Sequence, residues 1–258
     1  MERALGSSID LDEIRKYVNE NIDNFHNRRL EIISELTLQR LTSKNPYLLR
    51  VKNLTKASDV IEQTLEAFLS SSEEKQFGDF LEELAIFIAS KSIGGRKSTA
   101  PGMDLEFEMN GTYYVVSIKS GSNWGNSSQH AKLASDFLRA ERTLRQSAHV
   151  KNVIKILGIC YGKTKTTITR EGYFKIVGQN FWTLISGDKE LYIEIIEPLG
   201  FRAREHNERY YLERNKISNL LTQKFIDRFC LEDGSIDWTE LVRANSQNYD
   251  LEKFDGLI

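Results

Sequence analysis

The sequence has little cysteine, little proline and no excess of charge of either sign. Of its 258 residues, two are cysteine and three are proline. Cys160 and Cys230 form neither a CxxC pair nor a disulfide framework, and we therefore expect a reduced cytosolic protein. The 35 basic and 37 acidic residues give a net charge of −2. This balance excludes a globally basic polyanion binder, so any nucleic-acid surface must be local.

Long apolar runs are also lacking. No stretch approaches the ~18 residues of a membrane span, and residues 1–10 contain no apolar signal-peptide segment. Membrane and secreted proteins are therefore not expected. With 40% hydrophobic and 28% charged residues, the composition is that of a folded globular chain rather than a disordered or fibrous one.

No linker or internal repeat divides the chain, which predicts a single domain over residues 1–258. Apolar residues at helical spacing over 9–42 indicate that residues 1–70 are an N-terminal helical region. Residues 71–200 form the predicted core and 201–258 a mixed, mainly helical extension. Within these regions we predict helices over 58–69, over 71–92 with Ser71 and Glu74 as a capping box, over 129–146, and near 220–229 and 239–244.

The apolar period changes after Gly102. Alternating residues on both sides of Asn110-Gly111 predict a β-hairpin with a two-residue turn. The run VIKILGICYG (153–162) is nearly all apolar and is typical of a buried central strand. Further strands are expected in YFKIVG (173–178) and around Ile193.

The register of this hairpin brings polar side chains together. Counting outward from the turn, Asp104 lies opposite Ser117, and Lys119 points to the same face two residues later. The other face is apolar and should pack on the core; it carries Leu105, Phe107, Tyr114, Val116 and Ile118. One carboxylate and one lysine thus converge, although a solvated hairpin face with an incidental pair would have the same pattern.

A second carboxylate faces the core from the preceding helix. At 100° per residue, Glu83 falls on the polar arc, whereas Glu82 falls beside the small residues Gly78, Ala85 and Ala89. A carboxylate in this position is costly unless a cation or a hydrogen-bond network satisfies it. A metal site and an ordinary tertiary salt bridge both remain open for Glu82.

These features resemble those of a known group of nucleases. A helix glutamate, an aspartate that opens a strand, a hairpin and a lysine on the next strand resemble the PD-(D/E)xK superfamily. The runs KNPYLLR, SSSEEKQFGDFLEELA, SIKSGSNWGNSSQ, GQNFWTLISGD and IIEPLG are similar to type II restriction endonucleases of the PmeII-like group. The resemblance implies an α/β fold with a central mixed β-sheet flanked by helices. It covers most of the chain from Lys44 to about Gly200.

The chain departs from the superfamily pattern at two points. The Pro-Asp pair appears as Pro101-Gly-Met-Asp104, and the acid of the (D/E)xK triplet is replaced by Ser117. A serine brings no negative charge to a Mg²⁺ site, which usually contains one or two carboxylates. Another carboxylate should substitute: Glu82 is our first choice, Asp136 on the following helix the second, and Glu106 the third.

The resemblance further implies Mg²⁺-dependent hydrolysis of a DNA phosphodiester, with Mn²⁺ as a substitute. Asp104 and the second carboxylate would hold the ion, and the Ile118 carbonyl is a further candidate ligand. Lys119 would orient or activate the attacking water and stabilise negative charge.

The loop after Lys119 leads into a helix N-terminus, where backbone N–H groups favour a phosphate. We expect DNA contacts from this loop and from a basic, hydroxyl-rich segment further on. The alternatives are N-capping by Ser127 and Ser128, which can coexist with a DNA contact, and a solvated edge hairpin for the basic segment. The candidate residues are Asn123, Trp124, Asn126, Ser127, Ser128, Gln129, Lys163, Lys165 and Arg170.

A palindromic duplex presents two related strands, so a homodimer is expected, with the N-terminal helices as a dimerisation or DNA-clamping element. A companion DNA methyltransferase is expected in the host. The alternatives are another PD-(D/E)xK nuclease, of a repair or junction type, and a catalytically inactive DNA-binding module, which the missing acid at Ser117 suggests.

Overall fold

The computed structural model describes residues 9–147 and 152–253. The helices are α1 (Leu11–Ser34), α2 (Leu38–Thr42), α3 (Pro46–Val51), α4 (Ala57–Ser92), α5 (Ser127–Ser147), α6 (Gln179–Ser186), α7 (Leu191–Glu194), α8 (Ile196–Leu199), α9 (Ala203–Phe229) and α10 (Trp238–Ser246). The strands are β1 (Arg96–Lys97), β2 (Leu105–Met109), β3 (Thr112–Gly121), β4 (Val153–Tyr161), β5 (Thr167–Ile168) and β6 (Phe174–Val177).

The chain divides into two compact units, each built from two stretches of sequence. The first, here called the sheet unit, comprises the residues up to Phe25 together with Lys75–Ala203. The second, the helical unit, comprises His26–Glu74 together with the residues from Arg204 onward. The helical unit has its own apolar core, which includes Ile33, Ile61, Leu65, Phe225 and Phe229.

The sheet unit contains one six-stranded mixed sheet in the order β1-β2-β3-β4-β6-β5. The pairs β3–β4 and β4–β6 are parallel, and the other pairs are antiparallel. This mixed sheet flanked by helices confirms the predicted α/β architecture. The predicted central strand is β4, which lies between β3 and β6 as its apolar sequence requires.

Helices cover both faces of the sheet. On one face, Phe107, Val116 and Ile118 pack with Leu84 and Ile88 of α4. On the other face, Tyr113, Val115 and Leu157 pack with residues of α5 such as Leu133 and Phe137. The first face is the predicted apolar face. The second is not a solvated hairpin face, because Ser117 and Glu106 are both almost fully buried there.

The predicted break between two helices near Ser70 is wrong. A single helix, α4, runs from Ala57 to Ser92. The Ser71 hydroxyl donates to the Ala67 carbonyl one turn earlier instead of capping a new helix. No proline or glycine between residues 58 and 77 interrupts the backbone ladder, so a capping-box pattern inside a helix-forming stretch does not start a new helix.

The strand expected around Ile193 is also wrong, because this region forms the short helices α7 and α8. Its buried residues, Leu191, Ile195 and Pro198, recur at a spacing of three or four, and Ile193 is exposed. This is a helical period rather than the alternation of a strand. Among the described residues, no helix is long and apolar enough to cross a membrane.

Candidate active site

The β2–β3 hairpin aligns Asp104 with Ser117. Asn110 and Gly111 both have positive φ, 53° and 71°, as a two-residue type I′ turn requires. Met109 pairs with Thr112 and Leu105 with Val116, which is the register predicted from the sequence. Asp104 extends this pairing beyond β2, because its N–H donates to the Val116 carbonyl at 2.9 Å.

The Asp104 carboxylate is held by the facing strand. Its Oδ2 accepts from the backbone N–H of Ile118 at 2.6 Å and from the Ser117 hydroxyl at 3.2 Å. The side chain is 18% exposed. The two donors to one oxygen orient this carboxylate. Its charge remains partly accessible to solvent.

Lys119 brings its ammonium group to the same place. Its Nζ lies 3.6 Å from Asp104 Oδ2 and donates to the Ile118 carbonyl at 2.7 Å. It also lies 5.6 Å from the centre of the Trp124 ring, within the range of a cation–π contact. The Lys119 ammonium therefore contacts two of the groups that the sequence suggested as metal ligands.

Glu82 reaches this group from α4. It is half-buried whereas Glu83 is exposed, as the helical projection predicted. Burial raises the pKa of the Glu82 carboxyl and the Asp104 carboxylate raises it further, while the ammonium groups of Lys119 and Lys97 lower it. Glu82, Asp104 and Lys119 thus lie within electrostatic range of one another.

The raised pKa of Glu82 predicts a pH-dependent stability. Its folded-state pKa lies above the unfolded value, so its contribution to stability is largest when it is protonated and declines as pH rises through the folded-state pKa. Glu82→Gln removes the charge and keeps the shape. Without divalent metal, we expect the variant to melt at a higher temperature than wild type at about pH 8, with the difference vanishing below about pH 4.

Thermal melts across pH measure this effect, with Glu83→Gln as the control at an exposed neighbouring position. Equal melting temperatures of Glu82→Gln and wild type at pH 8 would contradict the electrostatic coupling described here.

The candidate metal ligands are the carboxylates of Asp104 and Glu82 and the carbonyl of Ile118. The described residues contain no group of three or more Asp, Glu, His or Cys side chains arranged to hold a metal ion. Mg²⁺, however, is commonly bound through one or two carboxylates, with waters and substrate phosphate completing its ligands. The mutual effect of Glu82 and Asp104 is itself what a divalent cation would relieve, so the donor set fits Mg²⁺.

Cys160 is not one of the candidate ligands. Burial, with a further contribution from the Glu82 carboxylate, raises the pKa of the nearby Cys160 thiol to about 12. The thiol therefore stays neutral near pH 7, and the candidate donor set is made of oxygen atoms.

The other two candidate carboxylates face different partners. Asp136 lies on α5 beside the loop before Asp104: its Oδ2 is 2.9 Å from where a side chain at Gly102 would begin, and its Oδ1 is 3.7 Å from Arg139. Glu106 is buried opposite Val115 and accepts from Arg96 at 2.8 Å and from Ser98 at 3.1 Å. The described hydrogen bonds and ion pairs of these two carboxylates therefore lead to arginine and serine side chains, not to Asp104 or Lys119.

The loop after β3 ends in a capping box formed by Asn126 and Gln129. Asn126 Oδ1 accepts from the Gln129 N–H at 3.0 Å, and Gln129 Oε1 accepts from the Asn126 N–H at 2.9 Å. Asn126 thus caps α5, not Ser127 or Ser128. All four residues and Asn123 are exposed, so the predicted DNA-contacting surface is accessible.

Trp124 packs against His130. Its ring lies 5.2 Å from that of His130, edge to face, and His130 Nδ1 lies 3.1 Å from the Tyr173 hydroxyl. His130 was not singled out from the sequence.

Lys163, Lys165 and Arg170 are exposed on either side of the edge strand β5, and the structure gives them no direct contact with the carboxylates of Asp104 and Glu82.

A further cation whose charge lowers the pKa of Glu82 was missed in the sequence. Lys97 is exposed on β1, the strand at the opposite edge of the sheet from β5. A strand of two residues carries no alternation, so no periodic signal could have found it.

Comparison with known protein families identifies the chain. The model of the type II restriction endonuclease EcoO109I family matches residues 12–207, which include every residue of the carboxylate–lysine group. The chain belongs to the EcoO109I family of type II restriction endonucleases. Its membership makes it a hydrolase whose substrate is DNA. No curated protein shows significant similarity to this EcoO109I family member.

Proposed function

We propose that this EcoO109I family member is a Mg²⁺-dependent endonuclease that cuts double-stranded DNA at a specific short palindromic sequence. The observation that carries the proposal is the contact of Lys119 with Asp104, with Glu82 in electrostatic range of both, in a chain that belongs to a family of type II restriction endonucleases. The narrower likeness to the PmeII-like group remains a prediction.

The metal would be held by the carboxylates of Asp104 and Glu82 and by the Ile118 carbonyl, with Asp136 as the second choice of acid. A bound Mg²⁺ or Mn²⁺ ion supplies a Lewis acid for the scissile phosphate and lowers the pKa of a bound water. The hairpin contributes rigidity, because the Ile118 N–H and the Ser117 hydroxyl fix the Asp104 carboxylate.

Lys119 would act on the substrate rather than on the ion. Its ammonium lies beside the carboxylate pair, where it can orient the attacking water and stabilise the negative charge that develops on the phosphate. Because Lys119 is partly buried against Trp124, its charge acts in surroundings that screen it less than water does.

DNA contacts would come from the two exposed segments predicted from the sequence. The segment from Asn123 to Gln129 lies just after β3 and offers backbone and side-chain donors at the N-terminus of α5. Lys163, Lys165 and Arg170 would contact the phosphate backbone near β5. These contacts would position the duplex. The DNA sequence would be read by side chains that contact the base edges in the grooves.

A homodimer is part of this proposal, with the helices of residues 1–70 as the dimerisation or clamping element, because two-fold symmetry matches a palindromic site. A companion methyltransferase would protect the host DNA, and both proteins would act in the cytoplasm. The single-domain organisation predicted from the sequence remains a prediction.

Ser117 is the observation that favours a second candidate, a DNA-binding module without activity. Digestion of duplex DNA of known sequence with Mg²⁺ separates the possibilities. Fragments of fixed length support the restriction enzyme. Structure-dependent nicking supports a repair or junction nuclease, and binding without cutting supports the module.

The role of Ser117 can be tested with Ser117→Ala. Its hydroxyl is buried and donates to Asp104, which keeps the shorter hydrogen bond from Ile118. Since a hydrogen bond to a charged group contributes about 1.5–3 kcal/mol, we expect cutting to fall by about ten- to a hundredfold at most. Single-turnover cleavage measures the effect. Complete loss of cutting by a folded variant would show that the hydroxyl has a more direct role.

A further inference from the structure

Lys97 lies next to the candidate active site on the edge strand β1. It pairs with Leu105, and the N–H of the next residue, Ser98, donates to the Asp104 carbonyl at 3.1 Å. The backbone of Lys97 is therefore fixed beside the backbone of Asp104. Because β1 is the outermost strand of the described sheet, no other strand within the described residues pairs with this edge.

The direction of the Lys97 side chain follows from its pairing with Leu105. An ideal Cβ at Gly95 would lie 2.8 Å from the Ala89 side chain on α4 and 2.9 Å from that of Leu105. Residues directly paired on neighbouring strands point to the same face, so Lys97, which pairs with Leu105, also points to the α4 face. Glu82 lies on the same helix, two turns before Ala89.

The ammonium of Lys97 is not committed to a partner. Its exposed neighbour Arg96 donates to Glu106 at 2.8 Å and to the Tyr113 hydroxyl at 2.7 Å. Within residues 9–147 and 152–253, Lys97 makes neither a hydrogen bond nor an ion pair within 4.0 Å. Its charge nevertheless lowers the pKa of Glu82, which places it in electrostatic range of the site.

A phosphate is the ligand that this arrangement favours. A DNA phosphate approaching Asp104 and Glu82 meets two carboxylates, and Lys119 already contacts Asp104 and the Ile118 carbonyl. Lys97 is a second cation at the rim, on a flexible stem and exposed to solvent. A lysine serving only as the counterion of Glu82 would be expected within ion-pair distance of it, which Lys97 is not.

We propose that Lys97 binds a backbone phosphate of the DNA strand that is cut, beside the candidate metal site. This proposal rests on the proposed function. It makes Lys97 a substrate-binding residue that positions the strand without reading its sequence.

The salt dependence of DNA binding tests this assignment. Wild type, Lys97→Ala, Lys97→Arg and the control Lys189→Ala are compared, the control removing an exposed lysine from the segment between α6 and α7. Equilibrium binding to a cognate duplex and to an unrelated duplex is measured without divalent metal over a range of salt concentrations, and folding is checked by circular dichroism.

For Lys97→Ala we expect an affinity about tenfold lower on both duplexes at low salt and a slope of log affinity against log salt that is smaller by about 0.9, because one phosphate contact is lost. Lys97→Arg should retain most of the wild-type affinity and of the wild-type salt slope. Lys189→Ala should match wild type in both measurements.

Two outcomes would overturn the proposal. If the slope of log affinity against log salt for Lys97→Ala equals that of wild type, with or without slower cutting, Lys97 binds no phosphate and acts only on the charge of Glu82. The proposed function would then remain intact. A wild-type protein that neither binds nor cuts duplex DNA would overturn the proposed function as well as the role of Lys97.

Discussion

Asp104→Asn should reduce the rate of DNA cutting by at least about 10³-fold while the protein stays folded. The amide oxygen of asparagine can still accept from the Ile118 N–H, so the hairpin keeps its anchor. What is lost is the negative charge that, with Glu82, would hold the metal. Single-turnover cleavage at saturating Mg²⁺ measures the rate, and thermal melting checks the fold.

Glu108→Gln is the matched control for Asp104→Asn. Glu108 lies on β2, four residues after Asp104, and is exposed near the hairpin turn, opposite Tyr113. We expect it to cut like wild type. Cutting by Asp104→Asn within tenfold of wild type would remove Asp104 from the candidate site.

Lys119→Met should lower the cutting rate by about 10²- to 10³-fold. Methionine preserves the apolar stem beside Trp124 and removes the ammonium that contacts Asp104 and the Ile118 carbonyl. Because the ammonium would stabilise charge that develops on the phosphate, the loss should appear in the rate at saturating DNA more than in the DNA concentration needed for half-maximal rate.

The control for Lys119→Met is Lys189→Met, which removes an exposed lysine outside the candidate site. A Lys119→Met effect confined to DNA affinity, with the maximal rate unchanged, would make Lys119 a phosphate-binding residue and leave the chemistry to other groups.

Much of the candidate site could be predicted from the sequence because local rules determine it. Asn110-Gly111 selects the turn, and the turn fixes the register that places Asp104 opposite Ser117. Helical periodicity separates Glu82 from Glu83, and the small residues beside Glu82 mark the face that meets the sheet. These features depend on neighbours only a few residues apart.

Other features depend on contacts that no short window contains. The two-residue strand β1 exists because it pairs with β2, so Lys97 could not be located in advance. The division into two units, each made of two distant stretches, has no local signal either. The capping box of Asn126 and Gln129 is a different case, because its N-x-x-Q spacing is visible in the sequence. The neighbouring residues Ser127 and Ser128, also of a type that caps helices, were the predicted caps instead.

The binding of Mn²⁺ to the protein without DNA tests the central claim, that Glu82 and Asp104 together hold a divalent ion. Electron paramagnetic resonance of the free ion would be followed during titration of wild type, Glu82→Gln, Asp104→Asn, Asp136→Asn and the control Glu83→Gln. We expect Glu82→Gln and Asp104→Asn to bind Mn²⁺ at least about tenfold more weakly than wild type, and Asp136→Asn and Glu83→Gln to bind it as wild type does. Wild-type affinity in Glu82→Gln, with the loss found in Asp136→Asn instead, would contradict this claim.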